Sequence, residues 1–84
     1  MSDKRVAIIS IIAENRQSSA EINALLSDFG EYIVGRMGIP YRERGIFIMS
    51  IVIDSQSEII NRLTGKLGML SGVTAKTLMA KEKK

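Results

Sequence analysis

RVAIISIIA, residues 5–13, and GIFIMSIVI, residues 45–53, decide the fold. Each is β-branched and apolar over the length of a strand. Each is apolar at odd and even positions alike, the pattern of a strand covered on both faces. In the first, Val6, Ile8 and Ile12 fall on one side and Ile9 and Ile11 on the other. In the second, Ile46, Ile48 and Val52 oppose Phe47, Met49, Ile51 and Ile53. Only Ser10 and Ser50 interrupt them. Both segments are therefore expected at the centre of a sheet.

The segments between them complete the plan. After the polar connection ENRQS, Ser18 and Glu21 have the spacing of a capping box, which predicts a helix start. Ile22, Leu25, Leu26 and Phe29 then form one apolar stripe, and Gly30 stands where a left-handed residue would end the helix. EYIVGRMGI reads as a second, weaker strand, because Gly35, Gly38 and Pro40 suit an edge better than a centre. Beyond GIFIMSIVI, Asp54 or Ser55 is expected to cap a second helix, with Glu58 completing another capping box. Its stripe is Ile59, Ile60, Leu63 and Leu67, and Gly65 and Gly68 weaken its last turns. Ser71-Gly72 turns the chain into VTAKTLM, a fourth strand.

The order β-α-β-β-α-β is the ferredoxin-like split βαβ plan. The expected fold class is α+β, a four-stranded antiparallel sheet with two helices on one face. Right-handed crossovers put both helices on that face. At 84 residues the chain reads as one domain, 1–84, with a frayed basic tail at 80–84. No third helix is available for the second apolar face, so another copy of the chain is its expected cover.

Composition narrows the chemistry. There is no cysteine and no histidine, so the two usual transition-metal ligands and the usual general base at neutral pH are missing. No metal, no cofactor and no catalytic residue is expected. Net charge is +3, of which Lys81, Glu82, Lys83 and Lys84 account for +2. A body this close to neutral disfavours direct DNA binding, which needs a clustered basic face. Lys4 and Arg5 before VAIISIIA mimic the start of a signal peptide. No small-residue cleavage site follows, however, and a run of eight residues is too short to span a membrane. The absence of cysteine agrees with a cytoplasmic location, and no membrane association is expected.

GRMGIPYRERG, residues 35–45, packs three arginines, a tyrosine and the only proline between apolar segments. It reads as a hairpin arm with two possible uses. Arg36, Tyr41, Arg42 and Arg44 could pair across an oligomer interface, or they could recognise an anion. A plain hairpin, its arginines solvated or paired with Glu31 and Glu43, is the third reading. Asn15, Arg16, Gln17 and Ser18, at the start of the first helix, form the other candidate site. There a helix entry and a ligand site are the competing readings.

RVAIISIIAENR, GEYIVGRMGIPYRERG and TGKLGMLSGVTAKT together resemble the iron-only hydrogenase system regulators, from about Arg5 to Thr77. The resemblance implies a ferredoxin-like fold related to ACT domains and to the C-terminal domain of the nickel-responsive repressor. The repressor binds metal through His and Cys, and this chain has neither. ACT domains often bind amino acids at the loop joining the first strand to the first helix. Asn15–Ser18 occupy that place without the Pro-Gly usual there. The function expected is a small non-catalytic regulatory protein, an ACT-like oligomeric module for a small anionic or amino-acid-like effector. Its partner in assembly would be itself, as homodimer or homotetramer. The alternative is a protein-interaction module that touches a regulatory or maturation protein through Gly35–Gly45, with no small-molecule ligand.

Overall fold

The computed structural model of the chain describes residues 4–81. The elements run β1 (Lys4–Ala13), α1 (Gln17–Asp28), a 3₁₀ turn (Gly30–Tyr32), β2 (Ile33–Tyr41), a second 3₁₀ turn (Arg42–Arg44), β3 (Ile46–Gln56), α2 (Ser57–Gly68) and β4 (Val73–Met79). The sheet is antiparallel throughout, in the order β2-β3-β1-β4. The two strands that are apolar on both faces lie at its centre. The strand bearing Gly and Pro lies at one edge, and VTAKTLM at the other.

Register fixes what each face carries. Ala7, Ile9, Ile11 and Ala13 of β1 stand beside Met49, Ile51 and Ile53 of β3. Ile22 and Leu26 from α1, with Ile60, Leu63 and Leu67 from α2, close over them, and all of these side chains are buried. Both helices therefore cover one face; of the stripe expected in α2, Ile60, Leu63 and Leu67 enter the core and Ile59 is only half-buried. A staple ties α2 to the β4 edge: the Thr64 hydroxyl donates to the Ile60 carbonyl at 2.8 Å, and the Thr77 hydroxyl reaches Thr64 Oγ1.

The helix starts differ from the capping boxes. Arg16 sits at the N-cap of α1 without a side-chain cap bond, and Ser18 lies inside the helix, buried. Ser55 stays in β3, buried opposite Arg5, and α2 begins only at Ser57. Gly30 is not left-handed but opens a 3₁₀ turn; among the described residues only Gly45 and Gly72 have positive φ. The second strand begins at Ile33 rather than Glu31 and pairs with β3 as far as Tyr41, with one irregularity around Val34. The edge strand thus pairs better than its composition suggests. Of the tail expected at 80–84, residues 82–84 lie outside the described residues. The Ala80 N–H still donates to the Val6 carbonyl at 2.9 Å.

The opposite face of the sheet has no cover within the described residues. Val6, Ile8 and Ile12, Met37 and Ile39, and Leu78 are exposed there, Met37 at 63% and Leu78 at 72%. No described helix is long and apolar enough to cross a membrane.

Candidate functional site

A βαββαβ chain delivers three of its connections to one end of the sheet: β1 to α1, β2 to β3, and α2 to β4. The first and third are bonded together here. The Glu14 N–H donates to the Gly72 carbonyl at 2.8 Å. Asn15 Oδ1 accepts the Ser18 N–H at 3.0 Å, and Asn15 Nδ2 donates to the Ser71 carbonyl at 3.3 Å. Ser18 Oγ lies 2.8 Å from Asn15 Oδ1 and 2.6 Å from the Ser71 carbonyl. Both neighbours are acceptors there, so the one hydroxyl proton serves one of them at a time. Asn15 thus caps the first turn from outside the helix, and Ser18 anchors that turn to the α2–β4 loop.

Between the β1–α1 turn and the β2–β3 hairpin lies an open groove of about 420 Å³, within the size range of small-ligand sites. Asn15, Arg16 and Ser19 form one wall, Pro40, Tyr41 and Arg42 the other, with Ala13 and Phe47 between them. Among the described residues neither the Arg16 nor the Arg42 guanidinium has a hydrogen-bond or ion-pair partner. The backbone of the helix start is less available: the Ser18 N–H is taken by Asn15, and the Ser19 N–H by the Arg16 carbonyl at 3.1 Å. Anion recognition at this groove would therefore fall to the two arginines, not to the helix terminus.

The two candidate segments are brought together only in part. Asn15 and Arg16 meet Tyr41 and Arg42 at the groove. Gln17 is exposed at the start of α1 and does not line it, and Ser18 points inward. Arg36 turns to the helix side, where Nη2 donates to Asn23 Oδ1 of α1 at 2.8 Å. Arg44 lies in the turn beyond the groove, with no side-chain partner among the described residues, Glu31 and Glu43 included. Ala13, Ser19, Ile46 and Phe47 are the lining residues that lie outside both candidate segments. Their signal is topological, since the plan alone brings the two connections to one end. Among the described residues no group of three or more His, Cys, Asp or Glu side chains could hold a metal ion.

Comparison with known proteins fits this geometry. The structure of TM1266 from Thermotoga maritima superposes with a TM-score of 0.88 at 39% identity, covering 93% of this chain and 99% of that one. The ACT domain from the GTP pyrophosphokinase of Chlorobium tepidum superposes with a TM-score of 0.74 at 24% identity, covering 90% of this chain and 88% of that domain. The second likeness concerns the fold alone. No curated protein matches the sequence. The profile of the TM1266-like family, iron-only hydrogenase system regulator, matches residues 5–77. The chain belongs to the TM1266-like iron-only hydrogenase system regulator family.

Proposed function

We propose that this chain is a small non-catalytic regulatory module of the cytoplasm, ACT-like, that works as an oligomer and takes a small anionic or amino-acid-like effector in the groove. One observation carries the reading: Arg16 and Arg42, whose guanidinium groups have no partner among the described residues, line the groove together with Asn15 and Tyr41. Guanidinium forks suit carboxylate and phosphate oxygens bidentately. The neighbouring amide and phenol supply the few polar groups that orient a ligand in a pocket otherwise walled by Pro40 and Phe47. In this reading the groove holds and releases its ligand, with no chemical step assigned to it.

A ligand that binds only the native state raises apparent stability, by about 2.7 kcal/mol at one hundred times its Kd. Thermal melts of the full chain with inorganic phosphate, pyrophosphate, citrate and the amino acids therefore test the reading. At least one probe should raise the midpoint, and Arg16→Ala combined with Arg42→Ala should abolish that rise while leaving the unliganded melt unchanged. A flat response to the whole panel at millimolar concentration would refute the effector reading. It would leave the interaction module acting through Gly35–Gly45.

A further inference from the structure

The open face of the sheet has a definite plan. Its middle row reads Met37, Ser50, Ser10, Lys76 across β2, β3, β1 and β4. The row on one side reads Ile39, Ile48, Ile12, Thr74. The row on the other reads Gly35, Val52, Ile8, Leu78. Two apolar bands thus flank a narrow seam of serines. The face carries charges of both signs: Lys76 at the β4 edge, and Lys4 and Asp54 beside Val6 at one end. Toward the loop end the face finishes at Tyr41 and Ile46, the last pair of the β2–β3 ladder, and both residues also border the groove.

The size of the face argues for its occupant. Four strands of 10, 9, 11 and 7 residues span roughly 19 Å by about 30 Å at ordinary strand spacing and rise. Two such faces in contact would remove about 1,200 Å² from water, the lower end of what stable specific interfaces bury. A flat pleated surface fits another pleated surface at about 10 Å separation. Opposite charges on one face allow reciprocal pairing across a two-fold axis, which a contact between identical surfaces requires.

We propose that a second copy of this chain packs its open sheet face against this one, and that the contact extends to Tyr41 and Ile46 at the rim of the groove. The groove then lies at the boundary between subunits. The pairing stands independently of the effector reading. Only its consequence, that occupancy of the groove and pairing strengthen each other, rests on it.

Sedimentation of the full chain at micromolar concentration tests the proposal without any ligand. The wild type should sediment at twice the chain mass or a multiple of it. Ile48→Asp and Leu78→Asp should each sediment as monomer, with helical circular dichroism and a cooperative melt retained. Leu78 is already 72% exposed, so that variant remains informative if Ile48→Asp fails to fold. Tyr41→Glu should raise the dissociation constant about tenfold or more, a loss of about 1.4 kcal/mol. Met69→Asp, at an 86% exposed residue outside the sheet, should change nothing. A monomeric wild type overturns the proposal. So does assembly that survives both Ile48→Asp and Leu78→Asp, and assembly indifferent to Tyr41→Glu overturns its reach to the groove.

Discussion

Gly72→Ala should be among the most damaging single-methyl changes in this molecule, for two additive reasons. Gly72 has φ +73°, a left-handed conformation that costs a residue bearing Cβ about 1 kcal/mol or more. A Cβ there would also lie 2.6 Å from Asn15 Nδ2 and 3.5 Å from Asn15 Cγ, so the Asn15 side chain must move. It is held by the Ser18 N–H on Oδ1 at 3.0 Å and by its own bond to the Ser71 carbonyl at 3.3 Å. Losing both, the second long and weak, costs about 1 to 2 kcal/mol. The total is about 2 to 3 kcal/mol, or about 10 to 20 °C in Tm for a domain of this size.

A double-mutant cycle with Asn15→Ala separates the two contributions. In the Asn15→Ala background the clash is gone, so Gly72→Ala should cost only the backbone strain of about 1 kcal/mol. The coupling between the positions should thus be about 1 to 2 kcal/mol. Urea melts at a fixed protein concentration give each corner of the cycle, since the midpoint of an associating protein depends on concentration. A cost for Gly72→Ala under about 0.5 kcal/mol, or strictly additive corners, would refute the account of how the α2–β4 loop holds the first helix.

Two further changes probe the frame. Gly65→Ala places a methyl in open space inside α2 and should stabilise by up to about 1 kcal/mol; a lowered urea midpoint would show that the helix end is not built as described. Met49→Asp, one residue from Ile48 but 2% exposed beneath the helices, should leave no cooperative melt at 25 °C, because an unpaired carboxylate among aliphatic side chains costs several kcal/mol. A folded Met49→Asp protein would mean that the two sheet faces are assigned the wrong way round.

The elements were legible because their signals are repeated along the chain. RVAIISIIA and GIFIMSIVI had to be central strands, since no edge needs aliphatic side chains on both faces, and VTAKTLM occupies β4 from end to end. Helix starts were less legible because a serine hydroxyl is not bound to serve its own helix. Ser18 reaches the Ser71 carbonyl, 53 residues away, and Ser55 is kept in the sheet by its pairing with β1. The spacing carries one further signal: Ser18 stands four residues before Ile22 and eight before Leu26, so it lies on the buried stripe of α1. The pairing of β2 also escaped composition. The Phe47 ring of the neighbouring strand lies against Gly38, where a Cβ would meet it at 3.4 Å, an ordinary contact distance. Such a fit depends on register, which no local count of Gly and Pro contains.

The candidate site was legible in its residues and not in its grouping. Asn15–Ser18 and Gly35–Gly45 read as separate segments, and the fold sorts their members by the direction each backbone position faces. Asn15, Arg16, Tyr41 and Arg42 meet at the groove, Ser18 goes to the core, and Arg36 goes to Asn23. The same sorting separates two demands on one hairpin. Met37, Ile39 and Tyr41 face the open side of the sheet, while Gly38 and Pro40 face the helices. Folding of a single copy gains only part of what aliphatic side chains at Val6, Ile8, Ile12 and Leu78 can give, since they stay 38% to 72% exposed. Polar residues there would leave the core of α1, α2 and the sheet intact. Their presence is explained if the working unit is larger than one chain, and the hairpin then joins the surface that pairs copies to the groove that meets a ligand.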